Sequence, residues 1–443
     1  MDLNHRFRLG INSKIALVGS GGKTTLMFQL ARDFGTRVIC TTTTHLAMDQ
    51  LDSADRHWVL SNPGDLPDPA EDLEGKVLLF TGPQVEEGRV GSPSPDLIKA
   101  LMVMADAWNC PMIIEADGAR KLPLKAPAEH EPAIPEFATA VITVIGLSGL
   151  GKPLSEEWVH RPEIYSSLVG VPQGTRLESE HLVKALLSDQ GGLKNVPADA
   201  RKILLINQID SFPNWKTFYS HLDTLLEKYS AVAFSVLEDQ MLLEVHERIA
   251  GIVLAAGGSS RFGEPKQLLD WFGEPLVKYI AEKVRAAGCE PVVVITGADH
   301  DSVSRALAEI PVEVVCNTSW QVGQSSSVRT AVQALSNDVG AAIFHLVDQP
   351  LIPVELIRAL RKKHAKQPAS IIMPVIDGKP ANPVLFDRRV FGDLETLEGD
   401  VGGRAIFDQY KPTTIPWDEP NSQLDVDTPE DYQRIRFAND PGK

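Results

Sequence analysis

Two stretches of this chain set glycines, hydroxyls and a lysine in the order that phosphate chemistry needs. The longer one runs Leu254-Ala255-Ala256-Gly257-Gly258-Ser259-Ser260-Arg261-Phe262-Gly263-Glu264-Pro265-Lys266. Small residues at 255 to 258 let the backbone come close to a ligand and aim N–H groups at phosphate oxygens. Arg261 suits a forked grip on phosphate, whereas Lys266 is a movable point charge that can follow an oxygen whose charge grows during reaction. The shorter stretch is Gly19-Ser20-Gly21-Gly22-Lys23-Thr24-Thr25. It has the order required to wrap a phosphate chain at a helix amino terminus, with Lys23 on the phosphates and the Thr24 hydroxyl on magnesium. The usual P-loop wants a glycine where Leu17 stands, still inside the preceding strand, so this loop is a variant form.

Acidic residues stand where such loops need metal ligands. Ala341 to Val347 is an apolar run ending in Asp348-Gln349-Pro350, and an acid there can hold magnesium across the phosphates. Leu424-Asp425-Val426-Asp427-Thr428-Pro429-Glu430-Asp431 offers a second acidic position, Asp427, while alternation puts Asp425 and Asp427 on one face. The same residues read equally as a helix start, with Thr428 as cap and Asp431 in the capping-box place. In the first half, Pro111 to Gly118 is a strand ending in Glu115-Ala116-Asp117, either of whose acids could serve magnesium or orient water. Thr41 to Thr44 follow another strand, either as a β-prone edge or as further magnesium or γ-phosphate contacts, and His45 reads as a solvated or hydrogen-bonded histidine rather than a metal ligand. Asn207-Gln208-Ile209-Asp210 is similar to the base-reading N-K-x-D motif of GTPases, with Gln208 in place of lysine.

The elements that must position these groups alternate. Strands are expected at Lys14 to Val18, Arg37 to Cys40, Val77 to Phe80, Ala138 to Ile145 and Lys202 to Ile206, with a helix from Leu26 to Phe34. Leu237 to Ile249 is charged, leucine-bearing and free of Gly and Pro. It reads as a helix joining two domains, with the boundary at Glu247 and a new strand from Ala250. Helices at Pro275 to Ala287 and Ser302 to Ala308 then alternate with strands at Pro291 to Thr296 and Val312 to Cys316. The fold class is α/β: a P-loop-type three-layer domain over 1–247, then a Rossmann-like domain with a mainly parallel sheet over 248–443, each with its crevice at the strand carboxyl ends.

The chain of 443 residues has room for two or three domains, and its 43% hydrophobic and 23% charged residues are ordinary for a globular protein. A net charge of −16 argues against general nucleic-acid or anionic-membrane binding. Four widely spaced cysteines form no C-x-x-C pair, so buried free thiols in a reducing cytosol are expected. The start, Met1 to Ser13, lacks the apolar core of a signal peptide, and no run reaches the ~20 apolar residues of a membrane span. A cytoplasmic protein with no membrane or nucleic-acid partner follows.

The pattern L-A-A-G-x-S-x-R-x-G-x-x-K-x-L-L resembles the nucleotidyltransferases of the molybdenum cofactor, and the segment from Ile249 to Phe437 is similar to the MocA-like cytidylyltransferases. That resemblance implies an enzyme joining CTP to molybdenum–molybdopterin. Leu254, Ala255, Ala256, Gly257, Gly258, Ser259, Gly263, Gly323, Ser325 and Ser327 would contact the nucleotide, Arg261, Lys266 and Asp348 would act in catalysis, and Asp348 and Asp427 would hold magnesium. Asn382 to Phe386 and Gly399 to Arg404 match elements on the pterin side.

From Lys14 to Val236 the chain resembles the YqeC-like accessory proteins of selenium-dependent hydroxylases, through GSGGKTT, TTTTH, EADGARKLPLKAPAEHEP and GLSGLGKPLSEEWVHRPE. This implies a P-loop-type domain that assists maturation of a molybdenum hydroxylase client, with no reaction assigned; the motifs themselves give Gly19, Gly21, Gly22, Lys23, Thr24, Thr25, Asp117 and Asp210 as its candidate ATP or GTP site. His130 and His160 are read as solvated loop histidines rather than ligands of a metal or selenium species. Two rival readings stand beside the cytidylyltransferase: transfer to a sugar or alditol phosphate, or an NTP-driven carrier of cofactor.

Overall fold

The computed structural model describes residues 2–67, 73–258 and 262–438. The chain divides into two compact units, Met1–His246 and Glu247–Lys443.

The first unit is built on a parallel sheet. In chain order its elements are β1 (Lys14–Gly19), α1 (Lys23–Asp33), β2 (Val38–Thr42), β3 (Arg56–Val59), β4 (Val77–Thr81), α2 (Pro95–Ala107), β5 (Met112–Glu115), β6 (Ala140–Gly146), α3 (Pro162–Val169), α4 (Ser179–Leu187), β7 (Arg201–Asn207) and β8 (Ala231–Val236). The strands lie in the order β8-β7-β6-β1-β5-β2-β4-β3, and every pairing is parallel. Central strands of a parallel sheet are covered on both faces, which is why β1, β5 and β6 are nearly continuous apolar runs. On β7, Ile203 and Leu205 pack in the core beneath α1, while Leu204 and Ile206 pack in the opposite layer with α3 and α4. Helix α2 starts where Ser94 accepts the Leu97 N–H with Pro95 behind it, the order that caps a helix at least cost.

Strand β9 (Met241–Ala255) enters the second unit at Glu247, and that unit also contains α5 (Leu276–Ala286), β10 (Val292–Thr296), α6 (His300–Leu307), β11 (Glu313–Cys316), α7 (Gln324–Gln333), β12 (Val339–Leu346), α8 (Val354–Lys366), β13 (Ile371–Ile376), β14 (Val384–Asp387), β15 (Thr413–Pro416) and α9 (Pro429–Ala438). Strand β9 pairs in parallel with β10 on one side and β12 on the other, and β11 extends the sheet beyond β10. Antiparallel β14 lies between β12 and β13, and β15 runs parallel to β13. Along β9, Ile249, Val253 and Ala255 face one core and Ala250, Ile252 and Ala256 the other. Gly251 interrupts this alternation because a Cβ there would lie 2.1 Å from the Val284 side chain, so its absence lets α5 pack close.

The helix expected over Leu237 to Ile249 is not formed: from Met241 onward these residues belong to β9. Their Leu and Glu content favours a helix in isolation. Buried Glu244 is satisfied by the Tyr219 hydroxyl at 2.7 Å, and Val245 packs into the core, so tertiary contacts outweigh local propensity.

Candidate functional site

In the second unit the groups singled out from the sequence converge at the carboxyl ends of β9 and β12, where the sheet order turns from one side to the other. The glycine loop leaves β9 with its path held by Gln267. This side chain is buried, and its Nε2 donates to Ala255 O at 2.8 Å and to Gly257 O at 2.7 Å. The ring of Trp320 covers Gly258, where a Cβ would stand 3.1 Å from the indole. Lys266 then reaches back. Its Nζ lies 3.0 Å from Asp427 Oδ1 and 3.4 Å from Asp348 Oδ2.

Two distant segments bring these acids together. The Val426 N–H donates to Asp348 O at 2.9 Å, which ties the last loop to the end of β12. Immediately beyond, Thr428 Oγ1 accepts the Asp431 N–H at 3.1 Å and Asp431 Oδ2 accepts the Thr428 N–H at 3.2 Å. The cap reading and the acid reading of this stretch are therefore compatible, since the capping box fixes the residue next to Asp427. Burial raises the Asp348 carboxyl above its ordinary range, with Lys266 opposing the rise. Asp348 Oδ1 is buried without a hydrogen-bond partner.

Lys266, Asp348 and Asp427 line a cavity of about 540 Å³ together with Ala256, Gly257 and Gly258. A second cavity of about 330 Å³ adjoins it through shared Leu254, Gln324 and Leu346, and is lined in part by Asn382, Arg404 and Asp425. Asp425 and Asp427 open to different cavities, and Val426 between them is buried. Asp425 Oδ1 accepts from Gln349 Nε2 at 2.7 Å.

The remaining expectations divide. Leu254, Ala256, Gly257, Gly258, Gly323 and Ser327 line the larger cavity, whereas Ala255 is buried at 1% exposure. The Ser325 hydroxyl turns away and donates to Gly399 O at 2.5 Å, because the 399–400 turn packs against the start of α7. Ser327 Oγ accepts from Asn317 Nδ2 at 3.0 Å. Gly263 is exposed with φ +86°, a turn position. Ser259 and Arg261 lie outside the described residues. Sequence reading missed Gln267 and Trp320, while Gln324 and Asp400 lie inside stretches it had singled out. Only Gln267 carried a signal, as a polar residue in a run whose neighbours Leu268 and Leu269 are apolar.

In the first unit, Gly19, Gly21 and Gly22 all have positive φ, at +94°, +77° and +132°. Lys23 Nζ donates to Gly19 O at 2.7 Å and lies 3.2 Å from Asp117 Oδ1. The Thr24 hydroxyl donates to Glu115 Oε2 at 2.8 Å, so the acid on the loop threonine is Glu115, not Asp117. Burial raises the Glu115 carboxyl, against the pull of Lys23. Asn207 Nδ2 donates to Gly21 O at 2.7 Å and fixes the loop from β7. Asp210 and Thr25 are exposed. The turn after β7 takes Gln208 through a left-handed conformation, φ +60°, and Asp210 is left on the outside.

Farther along, Lys125 and Arg161 both pair with Glu131, at 3.0 and 2.7 Å. Burial alone would raise Glu131, but Arg161 and Lys125 outweigh it and hold the carboxyl at about 2. His160 is pushed down to about 4, first by burial and then by Arg161, Lys125 and Arg120. Among the described residues no group of three or more His, Cys, Asp or Glu is placed to hold a metal by itself. No helix among them is long and apolar enough to cross a membrane.

Comparison with known proteins gives a match in each half. The sequence model of a family described as YqeC protein matches residues 15–163, and that of a MobA-like NTP transferase domain matches residues 251–414. The uncharacterized protein YqeC of Escherichia coli K12 is 37% identical over 208 residues, covering 45% of this chain and 77% of the relative. Nicotine blue oxidoreductase of Paenarthrobacter nicotinovorans is 30% identical over 197 residues, 42% of this chain and 96% of the relative. The crystal structure of Rv0371c from Mycobacterium tuberculosis H37Rv superposes with a TM-score of 0.39 at 28% identity, over 43% of this chain and 98% of that one.

Proposed function

Because the chain belongs to the YqeC family in its first half and to the MobA-like NTP transferase domains in its second, we propose that it is a molybdenum cofactor cytidylyltransferase fused to a nucleotide-binding accessory domain, with the functional boundary near Glu247. The second unit moves CMP from CTP to molybdenum–molybdopterin and releases pyrophosphate. The observation that carries this reading is Lys266 held between Asp348 and Asp427 at the wall of a cavity floored by Gly257 and Gly258.

In that arrangement the backbone of Gly257 and Gly258 receives the triphosphate, and Arg261 is assigned to the same phosphates. The terminal phosphate of the pterin attacks the α-phosphorus of CTP in line. The bond from the α-phosphorus to the bridging oxygen breaks, and pyrophosphate leaves with the electron pair. Such transfer depends on positioning and charge neutralisation more than on covalent help from the protein. Lys266 moves from its acids onto the developing charge. Asp348 and Asp427 fit a magnesium site, since the buried Asp348 Oδ1 lacks a hydrogen-bond partner and both acids already share a cation. Bound there, magnesium would neutralise charge on the α- and β-phosphates. The adjoining cavity, with Asn382, Arg404 and Asp425, is assigned to the acceptor.

The deciding assay is pyrophosphate release from CTP and magnesium, with and without molybdenum–molybdopterin. Release that depends on the cofactor is expected. Release with a sugar or alditol phosphate in its place would replace the acceptor, and delivery of cofactor to a hydroxylase without release would make the protein a carrier. The oxidoreductase activity in one relative's name, nicotine blue oxidoreductase, gives no role to a lysine set between two carboxylates. For the first unit we propose ATP or GTP binding at Lys23 and Thr24, and a molybdenum hydroxylase as client.

A further inference from the structure

In the first unit the groups meant for phosphate are already held by an anion of the protein itself. Asp117 is 3% exposed, and its Oδ2 accepts the Gly19 N–H at 2.9 Å and pairs with Lys125 Nζ at 3.0 Å. Its Oδ1 lies 3.2 Å from Lys23 Nζ, outside hydrogen-bonding geometry. A backbone N–H and the loop lysine are the donors that a glycine loop offers to phosphate oxygen. We infer that Asp117 is an internal competitor for the nucleotide phosphate: it closes the loop in the absence of ligand and yields Lys23 when a nucleoside triphosphate binds, with Lys125 keeping its carboxylate paired in the open state.

The proposal rests on the reading of Gly19 to Thr25 as a nucleotide loop. Its physical requirement is that Asp117 never be left as an unpaired buried charge, which would be strongly unfavourable. Lys125 meets that requirement without moving. It is anchored by Gly118 O at 2.7 Å and by Glu131 at 3.0 Å, and Glu131 is held from the far side by both nitrogens of Arg161, at 2.7 and 3.0 Å. The row Lys23, Asp117, Lys125, Glu131, Arg161 can thus lose its first link and keep the other three. Glu115 is not interchangeable with Asp117, because it holds the Thr24 hydroxyl and stands 3.9 Å from Lys23.

Two substitutions separate this device from a merely structural pairing, because they should act with opposite sign. The measurement is calorimetric binding of ATP and of GTP with magnesium to the full chain, counted as the component that Lys23→Ala removes. Asp117→Asn removes the carboxylate charge that holds Lys23 and should tighten that component about tenfold. Lys125→Met leaves Glu131 paired with Arg161 but takes away the open-state partner of Asp117, so the same component should weaken about tenfold. Circular dichroism confirms that each variant is folded. Weakening by both variants, or no change in either, would overturn the gate while leaving the loop a nucleotide site. If Lys23→Ala removes no binding from the wild-type chain or from Asp117→Asn, the loop reading fails and the gate falls with it.

Discussion

The two glycine loops of this chain carry the same kinds of residue in opposite states. In the first unit the lysine is 4% exposed and lies between two acids that are 3% and 7% exposed, so its charge is cancelled inside the protein. In the second unit Lys266 is 17% exposed and Asp427 57%, and both face a cavity of about 540 Å³. A buried pair must be exchanged before a ligand can bind, whereas a pair at a solvent-filled wall can reorganise around a ligand at little cost. Glycine, lysine and acid in order therefore describe a phosphate loop but not its readiness, which depends on where the acids sit.

The strongest way to break this comparison is to remove the acids of the open site. Asp348→Asn should lower pyrophosphate release by two or more orders of magnitude, because on the proposed mechanism the position would hold an ion that stabilises several kcal/mol of transition-state charge. Asp427→Asn, at a more exposed position, should have a smaller effect in the same assay. Full magnesium-dependent release in folded Asp348→Asn would remove it from the site.

Base choice sharpens the comparison next. Ala256 is 6% exposed on the cavity wall, where on the proposed function its methyl would narrow the space beside a bound nucleoside. One methyl group is worth about 1–3 kcal/mol of discrimination, so CTP should be preferred over GTP by roughly tenfold or more in kcat/KM, with Ala256→Gly narrowing the gap. Equal use of the two nucleotides by the wild-type protein would refute the cytidylyl assignment.

A smaller effect concerns pH. Burial raises the Asp348 carboxyl, so its charged form is lost at a higher pH than for an ordinary aspartate as the solution is acidified. Pyrophosphate release should fall along an acid limb centred above the usual aspartate range. In the pH profile of kcat/KM, a limb at or below the ordinary value would mean that another group governs it.

The smallest effect should come from Lys23→Ala, which ought to leave cytidylyl transfer within about twofold while removing nucleotide binding from the first unit, because the two loops belong to separate compact units and sites with no shared partners act additively. Transfer that falls as far as in Lys266→Ala would show that the two loops do not work independently.

Much of this was legible in the residue order. Runs such as Ile15 to Val18 and Val292 to Ile295 are buried on both faces and could only be inner strands of a parallel sheet, and the small residues after them announced loops at the strand ends. Local chemistry likewise marked Lys266, Asp348 and Asp427, since each stands beside a glycine turn, a strand end or a helix cap that its own neighbours specify. What the order of residues could not decide was partnership across the chain. Glu115 rather than Asp117 took the Thr24 hydroxyl, Asn207 came to hold the glycine loop, and Ser325 turned its hydroxyl to Gly399. Residues 241 to 249 formed a strand against their own helix propensity. In each case the outcome follows from burial: a polar group shut away from water takes whichever partner the packed elements bring within about 3 Å, and that choice belongs to the tertiary structure.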